Sequence, residues 1–583
     1  MIGRMCGIAG ILGRGDPSTV HSMVERLAHR GPDGRGIWHE GPVTLGHARL
    51  SILDLKGSAQ PMVDRQWTLI ANCEIYNHDH LRRRYPAYPW STKGDVEAIL
   101  ACASAARSRG SNSAAAHATW IAELDGMFAF ALWDAADQQL ILARDPLGIK
   151  PLVRTRVGDE LLFASEVKAF HAHPEWVARM DPQALHVRLA YEYPLDGTTL
   201  FEGVNSVRPG TVEVWDLKGG RPRLLDVVRY ASDRPSPAPW SLDAAGSLLN
   251  TLRSSVRDRL MSDVPLGVVL SGGLDSSMIA ALAKEEAEAS GDAPPSCWTV
   301  AEDPSNPDWL AAEEVASSLD LDHHQHLIDA PTLEDAIPDL VASGEDLDTT
   351  VAFFQPLFRA MTEDVTVGLC GQGADELHGG YPRYGALERH QELVRQRLRS
   401  FPEPSIDPEG PWWEKDLDPD VTLRDLKTTL DFELDRGQLA NFQLRLVDRH
   451  SMAHGVEVRV PFLGMEHVHA ASRLPLSWKR STSDEKMALR AAAAHLSLPE
   501  TIIRRPKLPA GRATTPTLID QVLEEHAPVI EDVLLRHPNH IKLLRQEPDL
   551  ALGLGLFEAI HLNGDGVRGD ASIHDLIDGG LMA

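Results

Sequence analysis

The feature that most constrains this chain is the junction that begins at Pro265. The apolar run PLGVVL leads directly into SGGLDSS and then into the helix-forming MIAALAKEEAEA. An unbroken apolar run of strand length suits a strand buried on both faces, as in parallel sheets covered by helices. SCWTVA (residues 296–301) and VTVGLC (365–370) are further runs of this kind, separated by helical stretches, so an α/β parallel-sheet domain is expected after about residue 240. A glycine turn between strand and helix presents backbone N–H groups and the positive end of a helix dipole to an anion. Ser271, Gly272, Gly273, Asp275 and Ser276 are therefore candidate phosphate contacts. No Lys closes the loop, so it is not the GxxxxGK[ST] type.

Upstream the pattern changes. Short apolar runs such as MFAFALW, QLILARD and LLFASE, bounded by turn residues, predict a strand-rich domain. Pro and Ser replace apolar periodicity in YASDRPSPAPWS, which divides the 583 residues into 1–229, a linker at 230–241, and 242–583. ARSRGSNSAAA (106–116) reads as a helix end and loop, the Pro/Asp-rich 401–420 as a surface excursion, and the Gly/Asp-rich last ~20 residues as a frayed tail. With 57 Lys plus Arg against 84 Asp plus Glu, the net charge of −27 argues against nucleic-acid and anionic-membrane partners. Five scattered cysteines form no CxxC pair or disulfide framework, which points to a reducing, cytoplasmic setting. The first residues lack the apolar stretch of a secretory signal, and no run approaches ~20 apolar residues.

MCGIAG (5–10) places a thiol beside small residues at the start of an apolar strand. The fragments that follow it are HRGPDG, HARLSILD, NCEIYN, TKGDVEAIL and LARDPLGIKPL. Together they resemble the amino-terminal-nucleophile domain of class II glutamine amidotransferases over residues 5 to about 215, which implies an αββα sandwich. The resemblance makes Cys6 the nucleophile, with its own α-amino group as base once Met5 is removed. A free α-amine with a pKa of ~7.7 to 8 suits that task near neutral pH. It further implies that Arg49 and Asp95 hold the two charged ends of glutamine, assisted by Glu74. Asn72 and the N–H of Cys73 would form the oxyanion hole. Two departures stand out. Met1-Ile2-Gly3-Arg4 precede Met5, so the reading requires a start at Met5 or trimming, or else a silent glutaminase. Cys73 stands where the family has Gly.

The second part resembles the ATP pyrophosphatases. GQGADELHGGY, DRHSMAHGVEVRVPFL, DEKMALR and RRPK narrow the resemblance to the glutamine-hydrolysing asparagine synthetase family, over residues 5 to about 515. It implies that Asp275 and Asp375 hold Mg²⁺ on ATP, oxygen ligands suiting that hard ion. Lys486, Arg449 and Lys507 become cations for phosphates and pyrophosphate. Glu345 is the acid linked to the acyl-adenylate, in a GEDLDTT stretch one residue shorter than the family pattern. Leu270, Val300 and Gly371 line the adenine and ribose pocket, although ordinary packing explains them equally well. Gln372 replaces a frequent Glu, and Gly464 the Asp of PFLD. LDHHQHLI alternates as a strand does, and a matching histidine pair in the family makes it structural rather than a metal site.

The expected activity is ATP-dependent amidation of aspartate, or of another small carboxylic acid, with ammonia from glutamine. The alternatives are an intramolecular amide former of the β-lactam or lasso-peptide synthetase kind, against which Cys6, Arg49, Glu74 and Asp95 argue, and a sensor of glutamine or nucleotide that binds without turnover. A homodimer is left open.

Overall fold

The computed structural model describes residues 6–14, 16–108, 113–195, 197–399, 419–508 and 514–579. Its first half contains two six-stranded antiparallel sheets. At the centre of one, strand Gly7–Leu12 lies between Val43–Arg49 and Glu160–Ala164. All its residues are buried because both faces are covered. Ile8 and Leu12 meet Ile70, Ala131 and Trp133 of the second sheet, while Ala9 and Ile11 pack against Val20, Met23 and Val24 of helix Pro17–Arg26. Asp16 caps that helix by accepting from the Ser18 N–H, and Pro17 starts it. Helices Glu97–Ser108 and Ala114–Ile121 cover the outer face of the second sheet. The layers are helix, sheet, sheet, helix, as expected for the αββα sandwich. Residues 109–112 of the expected loop lie outside the described residues, as do 401–418 of the expected excursion.

Residues 230–241 form no regular element. Tyr230 stacks on Phe128 and donates to the Arg144 carbonyl at 2.6 Å, whereas Arg234 pairs with Asp435 and Trp240 meets Trp478 edge-on. The second half holds a five-stranded parallel sheet in the order His323–Leu327, Ser296–Ala301, Leu266–Val269, Val367–Leu369, Glu457–Arg459. The histidine-rich segment is its edge strand. His323 shares a hydrogen with Thr299 Oγ1 at 2.8 Å and His324 stacks on Trp298.

The frayed-tail expectation is corrected as far as Gly579; residues 580–583 lie outside the described residues. Ile573 and Ile577, four apart on helix Ile573–Gly579, are buried in the main core. Asp565 pairs with Arg26 of the first half, and Arg568 with Asp335. An apolar pair at helical spacing outweighs the polar composition around it. The same core runs between the halves, where Phe201 meets Phe557 with ring centroids 5.0 Å apart.

Candidate active sites

Cys6 immediately precedes the first strand, and its Sγ accepts from the Leu50 N–H at 3.4 Å. It opens on a pocket also lined by Arg49, Asn72, Cys73, Glu74 and Asp95, so all six residues expected at a glutamine site lie together. The strand register explains how Asn72 and Cys73 face it. On the neighbouring strand the amide of Phe128 bonds to the Asp145 side chain and its carbonyl accepts from the Asp145 N–H. The Cys73↔Phe128 pair is therefore a non-hydrogen-bonded one, and Cys73 directs its N–H away from that strand. On the same open edge Ala71 donates to Gln60 at 2.6 Å and Ile75 to Asp95 at 2.8 Å. The Cys73 N–H lies between these two satisfied groups. The Asn72 amide is 1% exposed, and neither its Nδ2 nor its Oδ1 has a hydrogen-bond partner. Buried polar groups are rarely left so, and two unspent donors beside a thiol are what an oxyanion requires.

Burial pushes the Cys6 thiol up to about 12, against the Leu50 hydrogen bond, with the carboxylates of Glu457 and Glu74 adding to the rise. The thiol is consequently protonated near neutral pH and needs a base at sulfur to attack. Burial also raises the carboxyls of Glu74 and Asp95. A substrate ammonium would relieve that strain.

The second cluster forms at the carboxyl ends of the parallel strands. Helix Leu274–Ser290 starts at Gly273, after Gly272 with φ +66°, where a Cβ would lie 2.4 Å from the Ala312 nitrogen. Ser276 and Ser277 hydroxyls donate to the Gly273 carbonyl at 3.2 and 2.7 Å, and Ser271 Oγ is 3.0 Å from Ser276 Oγ. A Cβ on Gly371 would stand 3.0 Å from Asp275, which keeps the two loops in close approach. Lys486 Nζ lies 2.6 Å from Asp275 Oδ2 and 2.5 Å from Asp375 Oδ1, and Lys507 Nζ lies 2.8 Å from Asp375 Oδ2. Burial opposes ionisation of Asp375, but the two ammonium groups outweigh it and hold the carboxyl well below the usual range. Burial and the Asp375 charge bring Glu376 up to about 7, although the Tyr381 hydroxyl donates to it at 2.8 Å. Leu270 and Val300 are buried in the packing of the sheet.

Gly380 makes this cluster possible, because a Cβ there would sit 2.0 Å from Asp375 Oδ1 and 2.2 Å from Lys486 Cε. Gly380→Ala is expected to lower stability by about 1 to 3 kcal/mol, the usual cost of overpacking. A thermal melt reads it, and an unchanged melting temperature would contradict the crowding.

Glu345 and Arg449 make their charge contacts in a third place, between the halves. Glu345 caps helix Ala330–Gly344 in the left-handed region (φ 55°) and accepts from the N–H groups of Val167 and Lys168 at 3.0 and 2.7 Å. Arg449 Nη1 lies 3.2 Å from Glu345 and 3.3 Å from Glu166. From there buried charges alternate back toward the thiol. Glu166 pairs with Arg30, Arg30 with Asp448, and Asp448 with Lys150. Lys150 then meets Glu457, which pairs with Arg459, itself 3.1 Å from Glu74. A cavity next to this ladder is lined by Ile149, Val153 and Phe201 of the first half and by Glu345, Leu444 and Arg449 of the second.

Each half of the chain matches a known family. Residues 5–223 match a family described as Glutamine amidotransferase domain, and residues 247–540 one described as Asparagine synthase. The chain belongs to the asparagine synthase family. Asparagine synthetase (glutamine-hydrolyzing) 3 of Bacillus subtilis is 29% identical over 89% of this chain and 89% of its own length. The probable asparagine synthetase (glutamine-hydrolyzing) of Schizosaccharomyces pombe is 30% identical over 86% and 84%. Asparagine synthetase B of Escherichia coli is 33% identical over 68% of each chain.

Within this asparagine synthase family member, the departures have local partners. Gln372 donates to Gln443, which donates to the Tyr381 hydroxyl that holds Glu376. Gly464 packs on helix Ala245–Arg259, where a Cβ would stand 2.3 Å from Ser255 Oγ. Cys73 Sγ lies 4.0 Å from Asp95. Met1 to Met5 lie outside the described residues. Sequence reasoning passed over Glu376, Lys150, Glu457 and Arg459. All four lie inside motifs read above, but residue type alone gave no hint that Glu457 and Arg459 reach the thiol pocket. Among the described residues no helix is long and apolar enough to cross a membrane.

Proposed function

We propose that the chain is a glutamine-hydrolysing asparagine synthetase, with a glutaminase part to about residue 229, a linker at 230–241 and a synthetase part beyond it. The observation that carries the reading is the presence of two separate reactive clusters in one chain, one around the Cys6 thiol and one around the Ser271–Ser277 loop with Asp275, Asp375 and Lys486. The relatives, asparagine synthetases by name, support it.

At the first cluster Arg49 and Asp95 take the carboxylate and ammonium of glutamine. Cys6 loses its proton to its own freed α-amine and attacks the side-chain carbonyl carbon, and the Asn72 amide and Cys73 N–H receive the negative oxygen. Collapse releases ammonia, and water hydrolyses the thioester to glutamate. Ammonia then passes internally, with the cavity beside Glu345 and Arg449 as its space.

At the second cluster the loop N–H groups and Lys507 hold the phosphates of ATP. Mg²⁺ fits here: the Lys486 ammonium stands between two converging carboxylates as a cation would, and Asp275 Oδ1 has no hydrogen-bond partner. Asp275 and Asp375 would hold the ion, which offsets charge on the leaving pyrophosphate. A carboxylate is a poor electrophile. Adenylation gives it AMP as leaving group, which ammonia displaces.

The test supplies ATP, Mg²⁺ and glutamine or ammonium, with no acid, with millimolar aspartate or with other small carboxylic acids, and measures nucleotide products. Aspartate-dependent AMP and pyrophosphate in equal amounts are expected. ADP as the main product would overturn the adenylation, and AMP formation only with a different acid would overturn aspartate as acceptor. The motivation for including other acids is the Gln372–Gln443–Tyr381 chain beside Glu376, where the family often has Glu.

A further inference from the structure

The pocket that holds Cys6 is not built by the first half alone. Glu457 lines it alongside Cys6, Asn72 and Glu74, yet it begins the last strand of the parallel sheet, Glu457–Arg459. Glu457 is 2% and Arg459 0% exposed. Arg459 Nε donates to Glu457 Oε1 at 2.6 Å and Nη1 to the Arg259 carbonyl at 2.9 Å, which fixes the guanidinium before it reaches Glu74 at 3.1 Å. Lys150, from the first half, faces the other Glu457 oxygen at 3.6 Å. The apolar wall of the pocket is shared as well, since Leu50 and Ile52 pack with Val367 and Met452 of the second half.

We propose that Glu457 and Arg459 are positioning residues of the glutamine site, holding Glu74 and the charge balance of the pocket from the neighbouring half. The inference rests on the glutaminase reading above. A buried carboxylate such as Glu74 keeps one orientation only if a fixed cation meets it, and Arg459 is such a cation because its other donors are already engaged. Glu457 orients Arg459 and prevents the guanidinium from collapsing onto Glu74 alone. Arg459 acts through Glu74, Glu457 acts through Arg459 and through its charge beside the Cys6 thiol, and neither touches a reacting atom.

Glu457→Gln keeps the shape and removes the charge. It should raise KM for glutamine about tenfold, the effect of one weakened charge-assisted contact, with kcat changed less than KM and ammonium-dependent synthesis changed less than about twofold. Glu457→Asp should recover part of the loss, and Arg459→Lys should raise KM similarly, because an ammonium cannot reproduce the fork. The same ratio should appear in direct calorimetric titration of glutamine into the Cys6→Ala protein. Unchanged KM and affinity in both Glu457→Gln and Arg459→Lys would overturn the proposal, as would a parallel fall in ammonium-dependent synthesis, which marks a merely structural role. A wild-type chain that binds glutamine but never hydrolyses it, with weaker binding in Glu457→Gln, would sink the glutaminase reading and leave the positioning role standing.

Discussion

Replacing the Cys6 thiol by a methyl group, Cys6→Ala, is expected to reduce glutamine-dependent amide synthesis by at least ~10³-fold while ammonium-dependent synthesis stays within about twofold. Two features give the asymmetry. The sulfur is the one nucleophile among the pocket-lining residues that lies against the Leu50 amide, and the unspent donors of Asn72 and Cys73 have no acyl chemistry to serve without it. Loss of the thiol should leave the fold intact, because Cys6 packs at the margin of the small cluster of Leu50, Ile52, Val367 and Met452 and the change removes a single sulfur atom. The measurement is asparagine formed from either nitrogen source at saturating ATP and aspartate. A folded mutant that loses both activities would show that the thiol serves the synthetase reaction too.

The second large effect is expected from Asp275→Asn. Asparagine matches the shape of aspartate, and Lys486 keeps its partner Asp375, so the fold should persist. What disappears is one of two converging negative charges at the phosphate loop. Charge offset at a transferring phosphoryl group is worth several kcal/mol, so AMP formation should fall on the order of 10³-fold. Glutamine hydrolysis measured without ATP should be unaffected. Pyrophosphate release at the wild-type rate would remove Asp275 from the reaction. The partner mutation, Asp375→Asn, is a poorer test, because Lys486 and Lys507 would both lose their common counter-charge in a buried setting.

Both clusters were legible in the sequence wherever a site is built from one local unit. SGGLDSS follows its strand directly, so the strand-to-helix turn and its donors could be read from spacing alone. Asn72, Cys73 and Glu74 are consecutive on one strand, and register determines which way each points. The tail was misread because composition was weighed over about twenty residues, whereas burial needed only Ile573 and Ile577 at helical spacing. Arg449 was expected as a cation for the phosphates and Glu345 as the acid linked to the acyl-adenylate; in this structure their charge contacts are to each other, to Glu166 and to the amides of Val167 and Lys168. The last three are partners in the other half of the chain, and periodicity carries no information about how two sheets dock. The same limit hid Glu457 and Arg459.

The alternating ladder from Glu74 to Glu345 also bears on how such a protein can be inherited or rebuilt. Several buried ions between the halves are neutralised by residues encoded far away, Arg30 by Asp448, Lys150 by Glu457 and, outside the ladder, Arg188 by Asp346 and Asp348. Breaking one such pair by removing a single partner costs about 3 to 5 kcal/mol, so a gene fusion that joins this glutaminase half to a relative's synthetase half would misfold unless the matching charges travelled with it. Substitutions at these positions are therefore expected to be tied across the chain, and the two halves to exchange as a single unit even though each carries a reactive cluster of its own.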